Sequence, residues 1–252
     1  MLSLAEAGSG HTGGSLGLAD VFAFLYFHEM DYDPTNPKNA DRDRLVLSVG
    51  HVAPAWYATL AEAGFFDKEE LKTLRKLGSR LQGHPATDHG LPGMETSSGS
   101  LGQGLSIAVG MALSDKMNKK KRRVFCLLGD GELQEGSVWE AAMSASHHKL
   151  ENLLAIVDRN YLQIDGETED VMGLSPLSQK WKAFGWDVRL CDGNSMEDLV
   201  HTFSTINYVG HPTVIIAKTQ MGKGVKSIEG DYKWHGRAPN KEELSRFLEE
   251  LI

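Results

Sequence analysis

Val124-Phe125-Cys126-Leu127-Leu128 runs directly into Gly129-Asp130-Gly131-Glu132, and a second apolar run, Leu153-Leu154-Ala155-Ile156-Val157, runs into Asp158-Arg159-Asn160-Tyr161-Leu162. Each run is short, apolar and suited to a buried strand, and Ser137 to His148 between them reads as a helix. Together they form a βαβ unit. Both strands of such a unit end on the same edge of a parallel sheet, so Asp130 and Asn160 converge although they are far apart in the chain. Hard oxygen ligands at that edge suit Mg²⁺ or Ca²⁺, and Gly129 and Gly131 let the backbone approach a phosphate. The expected fold class is α/β, a parallel sheet flanked by helices.

Outward from this unit the pattern continues on both sides. Leu16 to Met30 reads as a helix with His11 on its leading loop, ended by Asp31-Tyr32-Asp33-Pro34. Arg44 to Val49 reads as a buried strand delivering Gly50-His51, followed by a helix over Ala53 to Ala63. Asp67 to Leu77 is expected to be an amphipathic helix capped by Asp67, with Glu69 and Glu70 complementing its dipole. Residues 78–104 are rich in Gly, His, Ser and Pro without periodicity, too long for an idle connector and therefore expected to be a functional loop. Leu105 to Lys116 resumes as a helix with small residues for close packing. Beyond the central unit, Val188-Arg189-Leu190 and Thr213 to Ala217 suggest two more strands around a helical Glu197 to Thr205, and Lys241 to Leu251 is helix-like. With no internal repeat or linker, residues 1–252 are expected to form one domain.

Charge and cysteine content narrow the function classes. Thirty-four acidic residues against 26 basic ones give a net charge of −8, which argues against a protein whose affinity rests on nucleic-acid phosphates. The basic run Lys119-Lys120-Lys121-Arg122-Arg123 is expected to be a solvated connection into the Val124 strand. Cys126 and Cys191 read as two buried thiols rather than a disulfide, which suits a reducing compartment. No segment approaches the roughly 20 continuous apolar residues of a membrane span, and no signal core is visible. The expected compartment is the cytoplasm.

Four of the ten histidines, His11, His51, His84 and His235, lie beside glycines on loops. Any one alone reads as an ordinary core or surface residue, but together they suggest a polar funnel that binds hydroxyls and phosphate and exchanges protons near neutral pH. Lys223, in the glycine-punctuated Met221-Gly222-Lys223-Gly224-Val225, is either a phosphate ligand or a solvated lysine.

Gly-Asp-Gly followed at this spacing by Asn resembles the cofactor motif of thiamine-diphosphate enzymes. Ser9-Gly10-His11-Thr12-Gly13-Gly14, Asp41 to Ser48 with Gly50-His51, Gly83-His84-Pro85 and Gly99-Ser100-Leu101-Gly102-Gln103-Gly104 occur in the order found in the transketolase family, and the resemblance extends from about Ser9 to about Pro239. It implies the thiamine-diphosphate-binding fold of a diphosphate-binding domain. It also implies a divalent ion, Mg²⁺ with Ca²⁺ able to substitute, held by the Asp130 and Asn160 side chains and the Leu162 backbone carbonyl. His51, Gly99, Leu101, Gly129, Asp130, Gly131, Asn160 and His235 would bind the cofactor. His11, His84 and His235 would surround the sugar substrates, and Glu135 would meet an acidic partner across a subunit interface in a proton network, or else be an ordinary first-turn carboxylate. Arg159 stands where relatives often carry Asp or Asn, but the ligand is the next position, so the metal site is expected to stand. Ser100 stands where many members have proline.

The activity implied is transfer of a two-carbon ketol unit from a ketose (phosphate) donor to an aldose (phosphate) acceptor. In the family the glutamate that starts this chemistry lies in a pyrimidine-binding domain from another chain, and no such domain follows here. The expectation is the N-terminal subunit of a split transketolase, or an N-terminal fragment, working with a C-terminal partner as a heterotetramer of two chains of each kind. Met1 lies close to the Ser9 motif, so a front helix of relatives is expected to be shortened. Two alternatives stand beside this one. The first is a subunit of another thiamine enzyme, similar to deoxyxylulose-phosphate synthase or a 2-oxoacid dehydrogenase, and the second is a non-catalytic cofactor-binding subunit.

Overall fold

Every residue of Val124–Gly129 and of Leu153–Arg159 is buried, the condition of parallel strands covered on both faces. The computed structural model describes residues 1–251. In chain order the elements are α1 Leu2–Ala7, α2 Thr12–Gly17, α3 Ala19–Phe24, β1 Arg44–Leu47, α4 Ala53–Glu62, α5 Gly104–Met117, β2 Val124–Gly129, α6 Gly136–His147 and β3 Leu153–Arg159. A short antiparallel hairpin, β4 Leu162–Gln163 with β5 Gly166–Glu167, comes next. Then follow α7 Thr168–Met172, α8 Leu177–Ala183, β6 Asp187–Asp192, α9 Met196–Ser204, β7 Thr213–Lys218 and α10 Lys241–Glu250.

Five strands pair in the order β1-β2-β3-β7-β6, and every neighbouring pair is parallel. Alternation along each strand sends side chains to opposite faces. Phe125, Leu127, Leu154, Ile156 and Ile215 join Phe22, Trp56 and Phe203 on one side. Cys126, Leu128, Ala155, Val157 and Val214 join Ala108, Ala142 and Trp181 on the other. The sheet is thus the middle of three layers. Register matters most for function: Gly129, Asp158, Ala217 and Cys191 lie in one row. Asp130, Asn160 and Thr219 therefore leave the sheet at one level, on one edge.

Several expectations need correction. The helix expected over Leu16 to Met30 starts earlier, at Thr12, breaks at Leu18 (ψ 1°), and ends in a π turn over Leu25–Glu29. Tertiary contacts impose that early start on glycines of low helix propensity: Thr12 bonds Arg237 O through both its N–H and its hydroxyl, and a side-chain carbon at Gly13 would sit 2.6 Å from Met221. Asp67 does cap, accepting from Glu69 N at 2.9 Å. Only a six-residue 3₁₀ segment, Lys68–Thr73, follows, because Leu74 turns inward to full burial and the Arg75 N–H goes to Leu81 O instead. Helices α1, α7 and α8 and the hairpin are additions that periodicity did not announce.

Both cysteines are buried free thiols. The basic run is only partly solvated. Lys119, Lys120 and Lys121 are exposed, but Arg122 pairs with the buried Asp115, and Arg123 with Asp43 and Glu29. Among the described residues no helix is long and apolar enough to cross a membrane.

Candidate active site at the sheet edge

Asp130 follows the last residue of β2 and is 2% exposed. Its Oδ1 accepts from Gly131 N at 2.7 Å; its Oδ2 accepts from Tyr161 N at 2.7 Å and from Arg159 Nη1 at 3.1 Å. Burial pushes its pKa up to about 6, against the opposing pull of Arg159. Asn160 follows β3. Its Nδ2 donates to Asp158 Oδ2 at 2.9 Å, and its Oδ1 accepts from Leu162 N at 2.9 Å, an arrangement that fits only one orientation of the amide. Thr219, just past β7, donates to the other Asp158 oxygen. Asp158 is buried, which raises its pKa to about 7.

A second buried carboxylate shapes the neighbouring loop. Glu132 is 2% exposed and accepts from the Ser48 hydroxyl, from Gly102 N at 2.8 Å and from Gly129 N at 3.0 Å. Ser48 in turn accepts from Gly104 N at 3.1 Å. One side chain thereby ties the ends of β1 and β2 to the Gly99–Gly104 segment. That segment needs its glycines: Gly99 has φ 130° and lies against the His84 ring, where a side-chain carbon would come within 2.9 Å. Gly102 has φ 80° and lies against Glu135, which a side-chain carbon would approach to 2.7 Å. Glu135 itself is exposed at the rim, as N-cap of α6. Leu101 is half-buried beside it.

The four glycine-flanked histidines meet. His11 precedes α2, His51 sits in the 3₁₀ turn after β1, His84 lies in the long loop and His235 ends the 3₁₀ turn Tyr232–Trp234. Ring centroids are 4.7 Å apart for His11 and His51, 4.9 Å for His51 and His235, 5.5 Å for His11 and His235, and 6.5 Å for His11 and His84. Burial, reinforced by the neighbouring imidazoles, lowers the His11 pKa to about 4 and holds His51 well below its usual value. Burial also lowers His84 and His235, with Arg75 adding to the effect at His84. Neutral imidazoles offer one donor and one acceptor each, the chemistry that hydroxyl groups need. Nδ1 of His11, Nδ1 of His235 and Oγ of Ser98 are buried without a partner among the described residues, so the funnel is built for a polar ligand.

Among the described residues no three His, Cys, Asp or Glu side chains stand close enough to hold a metal. The donor chemistry that fits is mixed: one carboxylate, Asp130, one amide oxygen, Asn160, and the Leu162 carbonyl, with room for phosphate or water oxygens as Mg²⁺ prefers. Gly129 and Gly131 flank Asp130, and a side-chain carbon at Gly131 would meet Gln163 at 3.3 Å. Lys223 is exposed. Sequence reasoning missed Glu132, Asp158, Thr219 and Arg75. For the first two the signal was present, since a carboxylate beside an apolar strand end is rarely buried idle. Arg75, with φ 60° and no ion pair among the described residues, lies over Gly83 beside His84, and only the fold brings it there.

Comparison with known proteins gives a consistent result. The family model for the transketolase thiamine diphosphate binding domain matches residues 1–251. One of the two subunits of the apulose-4-phosphate transketolase of Phocaeicola vulgatus is 45% identical over 247 residues, covering 98% of this chain and 87% of that protein. The 6-deoxy-6-sulfo-D-fructose transketolase subunit SqwG of Clostridium sp. is 42% identical, covering 98% of this chain and 90% of that one. Human transketolase is 44% identical over 97% of this chain, which spans only 39% of it. The crystal structure of transketolase from Campylobacter jejuni superposes with a TM-score of 0.92 at 34% identity, covering 99% of this chain and 41% of that one. The chain thus spans about two-fifths of the length of these full transketolases.

Proposed function

We propose that this chain, which belongs to the transketolase family through its thiamine diphosphate binding domain, is the diphosphate-binding subunit of a two-subunit transketolase. One observation carries the reading: Asp130, Asn160 and a cluster of four histidines converge on the edge where β1, β2, β3 and β7 end. Relatives named as separate transketolase subunits, and of nearly this length, support it. The same reading makes residues 1–252 one domain.

In this reading Asp130, Asn160 and the Leu162 carbonyl hold Mg²⁺, which Ca²⁺ can replace, and through it the diphosphate. His51, Gly99, Leu101, Gly129, Gly131 and His235 line the cofactor. Bound thiamine diphosphate supplies an electron sink that lets a two-carbon ketol fragment leave a ketose and join an aldose. His11, His84 and His235 bind the hydroxyls of both sugars and move protons at their oxygens as neutral imidazoles. The exposed guanidinium of Arg75, beside His84, receives the anionic end of a phosphorylated or similarly charged sugar. The exposed Glu135 and the Gly99–Gly104 rim meet a partner that carries the pyrimidine-binding domain, in a heterotetramer of two chains of each kind. Two buried free thiols agree with a reducing, cytoplasmic setting.

The test mixes the purified chain with a partner supplying the pyrimidine-binding domain and measures ketol transfer and mass by light scattering. Transfer by the mixture and none by the chain alone is expected. Robust transfer by the isolated chain would overturn the split-enzyme reading. Silence from a cofactor-loaded complex would favour a non-catalytic subunit.

A further inference from the structure

We infer that Arg159 is a positioning residue for the cation-binding carboxylate, clamping Asp130 to Glu169 on α7 so that the divalent ion is held only as firmly as that clamp. The inference rests on the cofactor reading of this edge. Arg159 is 3% exposed. Its Nη1 donates to Asp130 Oδ2 at 3.1 Å and to Thr168 Oγ1 at 2.9 Å, and its Nη2 donates to Glu169 Oε1. The guanidinium carbon lies 4.0 Å from the centroid of the Tyr161 ring. A rigid planar fork serves three acceptors on two sides at once, which the compact ammonium of lysine does not.

What this does to Asp130 follows from counting acceptor positions. An ionised carboxylate has about four. Oδ2 is taken up by Tyr161 N and Arg159, while Oδ1 accepts only from Gly131 N. The plane of the carboxylate is fixed, and one lone pair, on Oδ1, remains for a cation.

Charge explains why the clamp needs its far end. A guanidinium beside Asp130 would by itself cancel the negative charge that attracts the ion. Glu169 pairs with the same guanidinium from the other side, so the three groups together keep one negative charge. Glu169 is itself held by Leu174 N and Ser175 N, each at 3.2 Å. The segment after the hairpin is thereby joined to the cation site, although none of its residues is a candidate ligand.

The test is a calorimetric titration of Mg²⁺ into the full chain at saturating thiamine diphosphate, for wild type, Arg159→Lys, Glu169→Gln and the double variant. Arg159→Lys keeps the charge and loses the fork. Glu169→Gln alters a partly exposed group outside the candidate ligand set, so the fold is retained. Each single variant is expected to raise the Mg²⁺ midpoint roughly tenfold or more, the scale seen when groups behind a metal ligand are lost. The double variant should be little worse than the weaker single one, because both act through one clamp. A lowered melting temperature with an unchanged Mg²⁺ midpoint, or additive effects in the double variant, overturns the inference. Absence of Mg²⁺-dependent cofactor binding in wild type would instead remove the cofactor reading, and the clamp with it.

Discussion

Asp158 sets the direction in which Asn160 faces: it accepts the Asn160 amide N–H at 2.9 Å on one oxygen and the Thr219 hydroxyl on the other. An amide offers an oxygen to a cation only when its NH₂ group is turned away and held, and here a buried carboxylate holds it. Asp130→Ala and Asn160→Ala are each expected to abolish Mg²⁺-dependent binding of thiamine diphosphate while the circular dichroism spectrum is kept. Asp158→Ala should weaken binding by roughly 10- to 100-fold, as loss of an outer partner does. Calorimetric titration checks all three. Undiminished affinity in both alanine variants of the ligands would sink the metal site.

Glu132 predicts a stability effect instead. Glu132→Ala leaves Gly102 N, Gly129 N and the Ser48 hydroxyl without their shared acceptor, in a place where water does not replace it. At about 1–3 kcal/mol for each buried donor left unpaired, a loss of several kcal/mol is expected. Urea unfolding measures it. A change under about 1 kcal/mol would mean that the loop reaches its conformation without this carboxylate.

The apolar runs beside Asp130 and Asn160 were legible because parallel strands buried on both faces must be apolar throughout, and their ends then share an edge by topology. Loop residues that meet their partners only through the fold were less legible. Glu132 reads as a helix-start residue until Ser48 and Gly102 are brought to it from two other segments. Arg159 looked like a bystander one position before a ligand, yet it bonds the other ligand, Asp130. Leu74 and Arg75 continued a helical pattern that long-range burial and the bond to Leu81 O override. The candidate site was thus visible as residue types in order, while the groups that hold those residues in place required coordinates.

Replacing His11 or His84 with Ala should lower turnover by roughly 10² or more while leaving cofactor affinity close to wild type, the scale for losing a positioned proton-transfer group. Steady-state kinetics of the reconstituted complex, paired with cofactor titration, separates the two effects. Wild-type rates in both variants would remove the histidines from the chemistry.

Stability should depend on His11 in acid. Its folded pKa of about 4 lies below the roughly 6.5 of an unfolded chain, so between those values the unfolded state binds more protons. The contribution of a neutral His11 is complete above about pH 6.5 and is lost as the pH falls toward 4. Burial of Asp130 and Asp158 raises their pKa values and acts in the opposite direction, so the quantity to compare is the difference between wild type and His11→Gln. That difference should shift against wild type between pH 7 and pH 5 in urea unfolding. Parallel profiles would show that His11 titrates alike folded and unfolded.

Arg75 gives the sharpest test of substrate class. It is exposed, left-handed in backbone conformation, and placed over Gly83 beside His84. Its charge reaches the histidine cluster, since it contributes to the lowering of both His11 and His84. No carboxylate pairs with it among the described residues, which leaves a cation at the mouth of a funnel built for hydroxyl groups. A sugar carrying an anionic end would supply the missing partner in a charge-assisted hydrogen bond. Arg75→Gln is therefore expected to raise KM for a phosphorylated donor or acceptor by roughly tenfold, the scale of a charged hydrogen bond, with little change in kcat. For the corresponding unphosphorylated sugar KM should barely move. Equal effects on both sugars would mean that Arg75 shapes the loop rather than reads the anion, and no effect on either would remove it from the substrate path.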